Sequence, residues 1–363
     1  MPTPSVELAN RVTALRSAMR RVDLDGMLIT SPKNVRYLCG FTGSNGWLLL
    51  KHRSSVFVTD SRYKEQATEE LQHARIVVAG KERLSEALLR TRALGNLSVI
   101  GFEADSLAYD TVRTLRRLFK SVKLRAISNI VEPLRQIKSP SELDAIRKAI
   151  RISEKVLAEV INDLRPGVSE RDVAADITWK QRRAGADGDA FPPLVLFGRR
   201  CSLVHGQPSS ATLSNRQVVL IDLGCRVDGY CSDLTRMVAF GRIPAAIHEM
   251  YATLLSAQKR TREEIRAGTP TAYYDEFIRQ ELDQSGLSRY FAHALGHGIG
   301  LDIHETPLVS SRSNACLAAG HVITIEPGIY IPGEIGMRIE DDVLVTRDRS
   351  ETLTTFPREL IAL

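Results

Sequence analysis

Long apolar runs are missing from this chain: no stretch approaches the ~18 uninterrupted apolar residues of a membrane-spanning helix, so no membrane association is expected. Cysteine is scarce. The five present, Cys39, Cys201, Cys225, Cys231 and Cys316, are odd in number and contain no Cys-x-x-Cys pair, which argues against a disulfide framework and a thiolate zinc site. None sits in a recognisable nucleophile motif, so thiol chemistry is not expected either. The start, Met1-Pro2-Thr3-Pro4-Ser5-Val6-Glu7, lacks the basic-then-apolar pattern of a signal peptide, and the expected location is cytoplasmic. Charge of one sign is not gathered anywhere: the net +6 is spread along the chain, with short basic clusters at residues 113–120 and 259–262 that read as solvated helix faces. Nucleic acid is not an expected partner.

What is present is enough apolar material for a sizeable core: 43% hydrophobic and 25% charged residues over 363 positions, a length that suggests two domains. The first third alternates helix and strand. A basic amphipathic helix is predicted over residues 6–22, with strands at residues 26–30, 47–50, 55–59, 75–78 and 98–102. A boundary follows, because Ser139-Pro140-Ser141-Glu142 combines an N-cap serine, proline at the first helical position and glutamate three residues after the cap. The long apolar-striped helix that it starts runs to Arg165-Pro166-Gly167, and Ser169 opens another. The chain thus reads as an α/β (α+β) protein of two domains, residues 1–131 and 132–363.

Chemistry concentrates in the second domain, in the ordered set Asp222, Asp233, His297, Glu326 and Glu340. Four carboxylates and one imidazole are mainly hard donors suited to a pair of divalent metals. Two metals about 3.5–4 Å apart can share a hydroxide and clamp a carbonyl, which is hydrolytic chemistry. The spacing supports a common site. Residues 218–224 read as a buried strand, Asp228-Gly229 is a hairpin turn signal, and residues 230–236 return. With the turn at Asp228-Gly229, Asp233 faces Gly224; one residue earlier, it faces Asp222. Both registers put the two aspartates on one face. The alternating strand 321–326 ends at Glu326 before Pro327-Gly328, and Arg338 and Glu340 share a face of a strand over 337–343. Singly, each acid is better read as a solvated strand end. Together with the glycine-flanked His297 they read as a metal site.

These segments carry a resemblance. Asp222-Leu223-Gly224, Gly229 through Arg236, His293-Ala294-Leu295-Gly296-His297-Gly298-Ile299-Gly300, His304-Glu305, Ile325-Glu326-Pro327-Gly328 and Arg338-Ile339-Glu340-Asp341 resemble the aminopeptidase P, prolidase and methionine aminopeptidase superfamily of pita-bread-fold dinuclear metallopeptidases. The resemblance runs along nearly the whole chain. Residues 37–43 and 60–63 resemble the N-terminal creatinase/prolidase-like α/β domain, absent from methionine aminopeptidases, so it points to the proline-directed members. It implies two metal ions, Mn²⁺ first with Co²⁺ or Zn²⁺ as alternatives. Asp222 would bind one, His297 and Glu326 the other, and Asp233 and Glu340 would bridge them.

The same resemblance implies a homodimer, a proline-containing peptide substrate, and His205 and His304 as donors to the substrate carbonyl. His293 and Arg338 would line the substrate pocket; they are equally read as a satisfied core histidine and a neutraliser of the acids. Glu326 is expected to move the proton from water to the leaving nitrogen. Where relatives carry Pro-His-Gly, this chain has Val204-His205-Gly206, and Gln217-Val218 stands where an acidic residue is usual. Two other readings belong to the fold: an inactive interaction module, and a metal-free hydrolase with a histidine base. Both lack the full acid set that this chain keeps. The residues leave open whether an Xaa-Pro aminopeptidase or an Xaa-Pro dipeptidase is encoded.

Overall fold

The computed structural model describes residues 5–363, so the first four residues of the start read above lie outside the described ones. The chain folds as two compact units, Met1–Arg135 and Gln136–Leu363. Their division falls inside the short helix Glu132–Gln136, a few residues past position 131.

The first unit is built on a six-stranded mixed sheet. Its order is Arg75–Ala79, Ser55–Asp60, Gly46–Lys51, Gly26–Ile29, Val99–Glu103, Lys123–Ile127. The strand Gly26–Ile29 is buried throughout, as its unbroken apolar run requires of a strand covered on both faces. One face packs Leu28, Leu49, Val58 and Phe102 against Leu88, Val112 and Leu115 of the covering helices. The helix Ser5–Arg21 buries Leu8, Val12, Leu15 and Met19 along one stripe. The edge strand Lys123–Ile127 escaped the reading of the sequence because its alternation sets Lys123 and Arg125 among few apolar residues, a composition that protects a sheet edge.

The second unit repeats one arrangement twice. The helices Pro140–Asp163 and Glu170–Arg183 precede the strands Leu194–Phe197, Gln217–Leu223 and Leu234–Phe240. The helices Ala245–Glu264 and Thr271–Asp283 precede the strands Gly296–Gly298, Glu305–Val309, Val322–Ile325 and Asp341–Val345. Ser139 caps its helix in a box with Glu142, and Ser169 does the same with Asp172. Period-two alternation then separates two cores. Val219 and Ile221 pack on Val156, Val160, Val173 and Ile177, whereas Val218 and Leu220 pack with Ile323, Ile325, Val343 and the second helix pair. One strand departs from expectation: residues 337–343 divide into Ile335–Arg338, paired with Gly328–Ile331, and Asp341–Val345, paired with Val322–Ile325. Ile339 and Glu340 form the step between the two sheets, where the Ile339 amide bonds to the carbonyl of Pro327.

Candidate metal centre

The hairpin adopts the register with its turn at Asp228-Gly229. Both residues have positive φ, 49° and 77°, and Val227 pairs with Tyr230, which is a two-residue turn matched to strand twist. The ladder continues with Leu234 opposite Leu223 and Thr235 opposite Asp222, so Asp233 stands across from Gly224. A side chain at Gly224 would meet the Ser232 carbonyl oxygen at 2.0 Å, which is why glycine closes this end of the strand. Asp222, Thr235 and Asp233 therefore extend from one face, the face that Val218 and Leu220 bury further along.

The second repeat supplies the other donors. His297 comes from the strand Gly296–Gly298, where a Cβ at Gly296 would lie 1.9 Å from the Thr324 carbonyl oxygen. The His297 amide is held by Thr324 Oγ1 at 3.0 Å, and its Nδ1 lies 3.0 Å from the carbonyl oxygen of Gly298. A carbonyl only accepts, so Nδ1 carries the proton and Nε2 presents a lone pair. That lone pair faces Glu326 Oε1 at 3.4 Å and Asp233 Oδ2 at 3.7 Å. Ligand atoms of Asp233, His297 and Glu340 all lie within 4.8 Å of one another.

Such an arrangement is electrostatically incomplete. Burial first, and then the neighbouring acids, raise Asp233 and Glu340 well above the usual carboxylate range. Burial pushes Glu326 up to about 8, with Asp222 adding to it and Arg338 opposing. His297 is pushed by burial down to about 4, so it brings no positive charge to the acids it faces. Asp222 Oδ1 is buried without a hydrogen-bond partner. A lone pair against carboxylates and an orphaned carboxylate oxygen are what a divalent cation with oxygen and imidazole ligands satisfies, and the donor set fits one.

These groups line a cavity of about 570 Å³. Its wall also includes His205, His293, His304, Arg338 and the apolar Phe191, Pro192, Leu194, Ile303 and Leu308. His205 and His304 are exposed to it, and the His304 ring stands edge-on to His297 with centroids 4.3 Å apart. All nine residues singled out in the sequence thus meet at one cavity.

The chain matches Metallopeptidase family M24 over residues 144–347 and the Creatinase/Prolidase N-terminal domain over residues 11–137. It belongs to metallopeptidase family M24. It is 33% identical over 352 residues to the Xaa-Pro dipeptidase of Pyrococcus horikoshii, covering 97% of this chain and 98% of the relative. Among solved structures, the Xaa-Pro dipeptidase from Bacillus anthracis aligns with a TM-score of 0.94 at 35% identity, over 98% of this chain and 100% of that one. The X-Pro aminopeptidase from Thermotoga maritima gives 0.91 at 32% identity, over 96% and 100%. The protein is therefore a hydrolase whose family works with divalent metal ions, with an N-terminal creatinase/prolidase-type α/β domain and a C-terminal pita-bread domain, as the resemblance implied.

In this M24 peptidase Arg338 and His293 order the acids through Thr235 and Tyr330, two groups that went unread in the sequence. Arg338, 4% exposed, gives Nη2 to Asp222 Oδ2, Nε to Thr235 Oγ1 at 3.1 Å and Nη1 to the Tyr330 hydroxyl at 2.8 Å. Thr235 in turn donates to Glu340 Oε2 at 2.6 Å. His293 holds the far end. Its Nδ1 donates to the Ala294 carbonyl at 2.8 Å, so its Nε2, 3.1 Å from Tyr330, accepts the tyrosine proton. Both nitrogens of His293 are thereby engaged within the protein, and burial brings it down to about 4. Asp342 Oδ2 receives the Asp233 amide at 3.0 Å. Thr235 was within reach of the hairpin register, which sets it opposite Asp222; Tyr330 and Asp342 carried no signal, because Tyr330 meets His293 37 residues away and Asp342 meets Asp233 109 residues away. Among the described residues no helix is long and apolar enough to cross a membrane.

Proposed function

We propose that this M24 peptidase is an Xaa-Pro aminopeptidase, cleaving the bond between the first residue of a peptide and a following proline. The supporting observation is the charge of the cavity wall. A dipeptide carries its carboxylate on the proline itself, beside the scissile bond, and needs a cation there. Among the described lining residues, Arg338 is committed to three acceptors, while the exposed Gln207, Thr306 and Leu308 are uncharged. A longer peptide presents a neutral amide at that point. The second reading, an Xaa-Pro dipeptidase, is favoured by the names of the relatives from Pyrococcus horikoshii and Bacillus anthracis.

In this reading Asp222, Asp233, His297, Glu326 and Glu340 would hold two divalent ions, Mn²⁺ in preference to Co²⁺ or Zn²⁺. When bound, the ions make hydroxide available near neutral pH and polarise the carbonyl. Glu326, whose side chain is 18% exposed and so reachable from the cavity, accepts the proton of the attacking water and delivers it to the proline nitrogen. That delivery is needed because the leaving nitrogen, as an amide anion, is too basic to depart without a proton. His205 and His304 donate to the carbonyl oxygen as it gains charge, a contribution of about 10²- to 10³-fold per donor. Arg338 and His293 keep Asp222 and Tyr330 in place beside the substrate. A cytoplasmic homodimer completes the proposal, its assembly to be read by light scattering.

The test uses matched Ala-Pro and Ala-Pro-Ala peptides with Mn²⁺ or chelator, on the wild type and Glu326→Gln. Metal-dependent cleavage of the tripeptide, reduced about 10²-fold or more in the variant, is expected. Cleavage of the dipeptide alone transfers the assignment to the dipeptidase. No turnover of either with any of the three metals refutes the Xaa-Pro reading.

A further inference from the structure

His205 sits on a long excursion between the strands Leu194–Phe197 and Gln217–Leu223, with one short helical turn, Gly198–Ser202, before it. Loops of this length are ordinarily mobile, yet a donor to a developing oxyanion must be held in position. The loop is held by a residue outside it. Glu170, the first residue of the helix Glu170–Arg183, is completely buried and lines no part of the cavity. Its Oε1 accepts the Phe197 amide at 2.9 Å and Arg200 Nε at 3.0 Å; its Oε2 accepts the Ser209 amide at 2.8 Å and the Ser209 hydroxyl at 2.7 Å. Arg200 also reaches across the loop to the Gln207 carbonyl oxygen at 2.8 Å. The backbone joins in. Glu170 donates its own amide to Ala211, and Arg171 donates to Ser209.

One carboxylate thus ties the incoming foot of the loop, residues 197 and 200, to its outgoing foot at residue 209, and His205 lies between them. We infer that Glu170 is a positioning residue for His205, setting where the imidazole stands against the substrate carbonyl without touching substrate itself. The inference rests on the role proposed above for His205. Only a carboxylate meets the demand, because every group around it is a donor. An amide at the same place turns an N–H toward one of the feet and releases it.

The test is a double-mutant cycle on metal-loaded protein with Ala-Pro-Ala, joined to amide exchange on the full chain. Glu170→Gln is expected to lower kcat by about 10- to 100-fold, the scale of a misplaced catalytic group, with a much smaller change in KM. In a His205→Ala background the same substitution is expected to cost less than about twofold, because the group through which it acts is gone. Equal losses in both backgrounds would mean a general structural role and overturn the inference. If Glu170→Gln does not fold, Ser209→Ala takes its place in the cycle, with a loss of about two- to fivefold for one hydrogen bond. Exchange is independent of turnover. Faster exchange confined to residues 197–209 is expected in either variant, and unchanged exchange there refutes the clamp. A wild type inactive on Xaa-Pro peptides defeats the functional reading, while the exchange result still decides the clamp.

Discussion

Removing metal should invert the way this protein responds to pH between about 8 and 6.5. In the metal-free fold Glu326 keeps its proton up to about 8, and Asp233 and Glu340 are raised well above their ordinary values. The unfolded chain releases the same protons near about pH 4. Across the interval the folded state therefore binds more protons, so its stability falls as pH rises and recovers as pH falls. For Glu326 alone, lowering the pH from about 8 to 6.5 is worth about 1.5–2 kcal/mol at 1.36 kcal/mol per pH unit. That corresponds to some 3–8 °C in Tm for a unit of this size. Below about pH 6.5 a second set of groups opposes this gain. His293, His297 and His321 are each held by burial at about 4, so the unfolded chain takes up protons that the fold refuses, which offsets the further gain from the acids. The chelated protein should gain Tm from pH 8 to 6.5 and then level off, three raised acids standing against three depressed histidines. Saturating Mn²⁺ displaces the carboxylate protons, so the gain on descending from pH 8 should disappear and the histidines, no longer offset, should lower Tm below about 6.5. Differential scanning calorimetry in chelator and in Mn²⁺, in half-unit steps of pH, separates the two. A chelated protein whose Tm is flat, or falls, from pH 8 to 6.5 would show that the acids are not crowded as the structure places them.

Thr235→Val removes the hydroxyl that donates to Glu340 and accepts from Arg338. Calorimetric titration with Mn²⁺ should give an affinity about 10- to 100-fold weaker, and an unchanged affinity would mean that Thr235 does not orient the acid. Asp341→Asn leaves Arg236, itself fully buried, without its ion pair at 2.8 Å, and weakens the contacts to Arg358 and Gln258. Urea unfolding should register a loss of about 3–5 kcal/mol, and a loss below about 1 kcal/mol would refute a structural ion-pair role for this acid.

The run Glu340-Asp341-Asp342 shows where the reading of the sequence stopped. Three consecutive acids look alike to any local rule. In the structure Glu340 turns to the cavity, Asp341 is surrounded by Arg236, Arg262 and Arg358, and Asp342 takes the amide of Asp233. Burial opposes the charge of Asp341, but its arginines hold it below the usual range, whereas nothing comparable relieves Glu340. The same limit applies to Arg338, whose partners Asp222 and Thr235 lie more than a hundred residues earlier in the chain and Tyr330 only eight.

What the sequence determined by itself was whatever depends on neighbours along the chain. The Asp228-Gly229 signal placed a hairpin there in either of two registers, alternation put Asp222 and Asp233 on one face in both, and the Ser139–Glu142 box started the long helix, because turn chemistry, pleat and capping act within a few residues. Only the tertiary structure decided that the strand over 337–343 breaks at Ile339 and Glu340, that Tyr330 links Arg338 to His293, and that Glu170 ties down the loop of His205. Those outcomes turn on which buried donor meets which buried acceptor across distant segments, a balance of desolvation and pairing that exists only once the sheets have closed on one another.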